Sequence, residues 1–244
     1  NLITGYHNNF IGGGDLNQVR GSAQSTIGGG NQNRIYSTQS YNSILGGTSN
    51  QIGHNLTATG YAHNDQQSSV IVGGQSNKIF QKPYQETFKS LNFIGGGQAN
   101  TLTGTTGAVT VGGVSNKQYD GLRSFIGAGE YNYITGSTDS VVVGGSHNTL
   151  SGATISFIGG GYLNRILGRG TGNPGGANYG VSGYSNSSIV SGIRNTIFQG
   201  STSEGGASIL NGAENTILNG HEYSVIMGGK GLTSDKSYTT FMNG

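Results

Sequence analysis

Ser156-Phe157-Ile158-Gly159-Gly160-Gly161-Tyr162-Leu163-Asn164-Arg165-Ile166 reads as small residue, any, Ile, any, Gly, Gly, any, any, Asn, any, Ile, and variants of it recur twelve times in 244 residues. A fixed period marks a stacked repeat architecture, in which each unit buries its apolar side only against its neighbours. The motif Asn anchors the register: Asn17, Asn33, Asn50, Asn77, Asn100, Asn116, Asn132, Asn148, Asn164, Asn195 and Asn215, with Leu232 in the twelfth place. From Asn100 to Asn164 the spacing is sixteen residues four times running, and elsewhere it stretches as far as 31.

Four columns follow from this register. Gly stands three before the anchor in all twelve copies, from Gly14 to Gly229. So strict a column predicts positive φ or close backbone approach. Six before the anchor is Ile ten times, with Thr110 and Val142 as exceptions. Two after it is Val, Ile or Leu ten times, with Gln118 and Ser234 as exceptions. Eight before it is always Ser, Asn or Ala. The last three columns share parity with the Asn, and side chains alternate along a strand. They form one inward set: two apolar residues per coil, flanked by a small residue and the Asn at the corners.

Two short apolar strands per sixteen residues predict an all-β parallel β-solenoid, a flat two-strand β-roll of about twelve coils. Each coil adds roughly 4.8 Å, so the rod is expected to be roughly 50 Å long. The Asn column is expected to stack as a ladder that ties the Gly turns. Residues 1–244 are read as one elongated domain. Asn1 and Ile3 fit a preceding coil, and Thr240-Phe241-Met242-Asn243-Gly244 starts a further one, which predicts a piece of a longer rod.

Gly is 48 of 244 residues and only 9% are charged, which would suggest disorder if the Gly were not in register. Cys and Trp are absent, which excludes a disulfide framework and Cys metal sites and fits an exported protein. No stretch is long and apolar enough to span a membrane, so no direct insertion of this segment is expected. A net charge of +2 without a basic run argues against a nucleic-acid partner.

The outward positions of the first strand are also apolar. Seven and five before the anchors stand Phe10/Gly12, Thr26/Gly28, Ser43/Leu45, Val70/Val72, Phe93/Gly95, Val109/Val111, Phe125/Gly127, Val141/Val143, Phe157/Gly159, Ser188/Val190, Ser208/Leu210 and Val225/Met227. Large residues are offset by small ones, as in close packing. A strand apolar on both faces is buried on both faces, and twelve coils of such surface exceed what a monomer tolerates. The expected cover is further copies of the chain packed stripe to stripe, with Phe10, Phe93, Val109, Val111, Phe125, Val141, Val143 and Phe157 at the interface.

The recurring S-x-I-x-G-G units, Gly turns and doubly apolar strand resemble the YadA-like head of trimeric autotransporter adhesins, and related repeats of viral and phage fibres. The resemblance implies a left-handed parallel β-roll, assembled as a homotrimer on a surface fibre. It implies an extracellular place, on a cell's outer membrane or on a virion. Family head coils are shorter than these and have Ala-Ile-Gly cores, and neither a neck motif nor a coiled-coil stalk nor a membrane barrel is present here.

Extra residues all enter one turn, between the strand after the anchor and the next coil. They fill 53–68, 80–91, 167–186 and 198–206. Insertions on one edge of a repeat array commonly build its binding face. The first two lie on neighbouring coils and carry Tyr61, His63, Lys82, Tyr84 and Phe88; the third carries Arg169, Tyr179 and Tyr184. These residue types suit a host-surface glycan or protein. A glycosidase needs paired carboxylates at a defined separation, and the ten acids are dispersed. No cofactor or metal motif is present: His54, His63 and Asp65 match no defined site, and the Gly turns precede no helix. The expectation is a non-enzymatic fibre or adhesin head. The alternative is a phage or virus fibre or tailspike with receptor-binding or glycan-cleaving activity.

Overall fold

The computed structural model describes residues 1–5, 7–36, 41–53, 68–80, 91–168, 186–199, 206–218 and 223–242. The structure is all-β, built from strands of two or three residues. The chain divides into two units, Asn1–Tyr119 and Asp120–Gly244. Each unit is a parallel β-solenoid with two sheets, a front sheet before the motif Asn and a back sheet after it.

In the first unit the front sheet runs Phe10–Ile11, Thr26–Ile27, Ser43–Ile44, Val70–Ile71, Phe93–Ile94 and Val109–Thr110. Its back sheet runs Leu2–Thr4, Gln18–Arg20, Arg34–Tyr36, Gln51–Ile52, Lys78–Phe80, Thr101–Thr103 and Lys117–Tyr119. In the second unit Phe125–Ile126, Val141–Val142, Phe157–Ile158, Ser188–Ile189, Ser208–Ile209, Val225–Ile226 and Thr240–Phe241 make the front. Tyr133–Thr135, Thr149–Ser151, Arg165–Leu167, Thr196–Phe198, Thr216–Ile217 and Thr233–Ser234 make the back. The partial repeats at both ends join the stack as expected: Leu2 pairs with Gln18, and Thr240 with Val225.

The interior follows the four columns. Ile27, Ile44, Ile71, Ile94, Ile126 and Ile158 from the front, and Ile35, Ile52, Ile79, Leu102, Ile134 and Leu150 from the back, are fully buried. Every anchor Asn from Asn17 to Asn215 is buried too. The exceptions in the sixth coil pair with each other: Gln118 Nε2 donates to Thr110 Oγ1 (3.0 Å) and to the Val109 carbonyl (2.7 Å). A fifth inward column lies five after the anchor, where Ser22, Thr105, Ser137 and Ala153 are buried. It sits beyond a turn, so strand parity could not reveal it.

The Asn ladder has a definite wiring. Asn148 Nδ2 donates to the carbonyls of Gly144 (3.0 Å) and of Gly161 in the next coil (3.1 Å). Asn148 Oδ1 accepts from the Asn164 backbone N–H at 3.0 Å. The same links recur at Asn17, Asn33, Asn50 and Asn77. Each Asn therefore ties its own Gly turn, the next turn and the next Asn, and the coil-to-coil link is mainly side chain to backbone rather than amide to amide. The column ends where Leu232 N–H donates to Asn215 Oδ1 at 3.0 Å.

Four left-handed corners close a regular coil. In the coil ending at Asn164 they are Gly152 (φ 59°), Ile155 (φ 48°), Gly161 (φ 87°) and Leu163 (φ 57°). Positive φ was expected at Gly161. The corner just before the Asn, filled by Leu16, Gln32, Ser76, Tyr131, His147 and Leu163 in different coils, carries it as well. Gly is needed at only one of these two corners. A Cβ on Gly161 would collide with the Gly192 carbonyl oxygen and lie 2.6 Å from Asn164 Nδ2. Side chains at the second corner point to solvent and meet no such wall.

Candidate recognition and assembly faces

Tyr61, His63, Lys82, Tyr84, Phe88, Arg169, Tyr179 and Tyr184, the residues expected to build a contact face, lie outside the described residues. Their roots are described. Ile52 pairs with Ile79, and Gly53 N–H donates to the Ile79 carbonyl at 2.8 Å. The insertions 53–68 and 80–91 therefore leave from hydrogen-bonded neighbouring strands. Leu167, at the root of the third insertion, pairs with Phe198, at the root of the fourth. Inserting residues in this turn leaves strand register intact.

The outward stripe of each front sheet is in register. In the first unit Phe93 stands between Val70 and Val109; in the second, Val141 stands between Phe125 and Phe157. Phe93, Val109, Phe125 and Val141 are half-buried, while Phe10, Val111, Val143 and Phe157 are exposed, Phe10 by 57%. The large-small offset has a cause inside the chain. Phe93, Phe125 and Phe157 lay a ring edge 3.2 to 3.3 Å from where a Cβ would stand on Gly95, Gly127 and Gly159. The ring covers its own coil's glycine, and beside Phe93 and Phe125 the next coil's Val109 and Val141 fill the row. No charged residue interrupts either outward column from Phe10 to Met227.

A third feature was not legible as a motif. On the ridge formed by the Gly-turn corner of the second unit, Tyr131 and His147 rings lie 5.0 Å apart, and His147 meets Tyr162 edge-on at 5.7 Å. All three are exposed. Ser146 Oγ and His147 Nδ1 are 2.7 Å apart. In sequence they sit sixteen and fifteen apart, a spacing visible only once the coil length is known. The opposite corner carries a charged pair: Arg123 Nε and Nη2 donate to Asp139 Oδ1 and Oδ2 at 2.6 and 2.7 Å. The hydrogen bonds from Arg123 hold the Asp139 carboxyl below its ordinary range.

Comparison with protein-family models and with curated protein sequences finds no match to this chain.

Proposed function

We propose that the chain is a non-enzymatic head or shaft segment of an extracellular fibre, which self-associates as a homotrimer through the front stripe and presents loops for attachment. The observation that supports this reading is the front stripe: Phe, Val, Leu and Met side chains in register, half-buried or exposed, with no charge among them. A solvated sheet face would alternate to polar outward residues. Packing stripe against stripe around an axis buries this surface and leaves the insertion edge free. The likeness of the repeats to YadA-like adhesin heads and to fibre repeats of viruses fits the same reading, and an extracellular place is part of the proposal. The proposed partners are further copies of the chain and a host-surface glycan or protein.

Sedimentation equilibrium tests the assembly. The expected mass is three times that of the 25.0 kDa chain. A Phe125→Asp/Phe157→Asp double variant is expected to dissociate or aggregate, because it puts carboxylates into a desolvated interface. A wild-type chain that sediments as a well-behaved monomer overturns the trimer.

A further inference from the structure

The first unit separates its charge by face. Its described Lys and Arg residues are Arg20, Arg34, Lys78 and Lys117, and all four stand on the outer side of the back sheet. The residues between them in the strands, Val19, Ile35, Ile79 and Gln118, are fully buried, which turns their neighbours outward.

The register makes a regular array. Along one outward column the order is Gln18, Arg34, Gln51, Lys78, Thr101, Lys117. A cation occurs on every second strand, about 9.6 Å apart at two strand spacings, with an amide or hydroxyl between. Arg34, Lys78 and Lys117 are exposed. The second outward column places Tyr36, Phe80 and Tyr119 on the same strands as those three cations. Arg20 lies 5.6 Å from the Tyr36 ring centroid, and Tyr36 Oη donates to Gln18 Oε1 at 2.8 Å. No carboxylate stands in either column from Gln18 to Tyr119.

We infer that this back-sheet face binds a linear anionic polysaccharide laid along the stack. The occupant follows from charge complementarity. A row of cations at constant spacing, unneutralised within the face, matches a chain with carboxylates or sulfates at constant spacing. Gln18, Gln51 and Thr101 offer hydrogen bonds to sugar hydroxyls between them. A single-stranded nucleic acid would want exposed aromatic faces for stacking. Here Tyr36 is buried, and Phe80 and Tyr119 are half-buried. The inference goes beyond the attachment reading, since it uses neither the insertions nor the front stripe.

The test is direct binding of the full chain to size-defined heparin fragments (sulfated) and to alginate fragments (carboxylated), with neutral dextran and an oligothymidylate as comparison probes. Binding to at least one anionic glycan is expected, weakening steeply as salt rises past a Debye length of about 10 Å. Arg34→Gln/Lys78→Gln/Lys117→Gln should weaken it about tenfold or more, as three modest exposed ion pairs together would. Arg194→Gln/Lys230→Gln/Lys236→Gln removes the same charge from outside the back-sheet strands and should leave it within about twofold, since the row of Arg34, Lys78 and Lys117 stays intact. Should the first triple variant fail to fold, reductive methylation of the wild type serves instead: glycan should protect Lys78 and Lys117 and not Lys230. A chain with the insertions cut to short turns should still bind, which separates this face from the loops. No binding to either anionic glycan, equal binding to dextran, tighter binding to oligothymidylate, equal loss in both triple variants, loss on cutting the insertions, or no selective protection of Lys78 and Lys117 would each overturn the proposal.

Discussion

At a single position in the coil, backbone conformation and available space make separate demands. Gly145 and Ile155 both have positive φ, 80° and 48°. A Cβ on Gly145 would collide with the Gly161 carbonyl oxygen and stand 2.7 Å from Asn148 Nδ2. Gly145→Ala is therefore expected to cost several kcal/mol, on the order of the largest point-mutation effects. Ile155 is exposed, so its left-handed backbone costs about 1–2 kcal/mol with no steric wall to match. Ile155→Asn should raise stability by about 1 kcal/mol, because Asn tolerates this region. Chemical denaturation of the two variants checks both signs, and a stabilised Gly145→Ala would sink the stacking account of the glycine column. Ile126 is fully buried on the inward side. Ile126→Ala should cost about 2–5 kcal/mol through lost burial and a cavity. An unchanged thermal midpoint would show the inward column to be misassigned. These inward and glycine columns were legible because close packing leaves each such position one kind of residue. The corner before the Asn was not, because Leu, Gln, Ser, Tyr and His all fit there.

Among the elements, the turns differ more than the strands. Strands are two or three residues long and keep strict register, so they tolerate little. The corner bearing Arg123 and Asp139 varies from coil to coil, and in this pair it carries a bidentate bond between exposed side chains. Asp139 has a lowered carboxyl pKa, caused first by the Arg123 hydrogen bonds. A lowered folded-state pKa contributes stability above the unfolded carboxylate's value and loses it as pH falls through the folded one. The thermal midpoints of wild type and Asp139→Asn should therefore differ most at neutral pH and low salt, and converge below the ordinary carboxylate range. The gap should be small, since exposed pairs contribute little. A gap that persists undiminished into strong acid would show that the substitution acts by another route. The aromatic ridge of Tyr131, His147 and Tyr162 belongs to this scale too: only coil length brings residues that far apart in sequence to neighbouring rings.

For the whole molecule, the insertions all enter one turn while their root strands stay paired. Replacing 53–68 and 80–91 with five-residue turns copied from regular coils should leave far-ultraviolet circular dichroism and cooperative melting intact, since loop length changes closure entropy only slowly. Attachment to the wild type's target surface should be lost. A shortened chain that folds and attaches undiminished moves the attachment site elsewhere, with the insertion around Tyr179 next. The repeat by itself determined the solenoid, the four inward columns of its strands, its Asn ladder and the place of the insertions, because a stack of similar coils makes a buried strand position a column that recurs along the chain; the fifth inward column, beyond a turn, needed the fold. Only tertiary structure decided which outward residues stand together. Arg20, Arg34, Lys78 and Lys117 are dispersed in sequence with no basic run, yet coiling aligns them on one sheet face. Phe93 reads as an interface residue, offset in size by Gly95, and the fold shows the ring covering its own coil's glycine. Outward positions on the back sheet are free of the one-residue demand that packing imposes, so residue type there varies from coil to coil, and it is the coil geometry that gathers them.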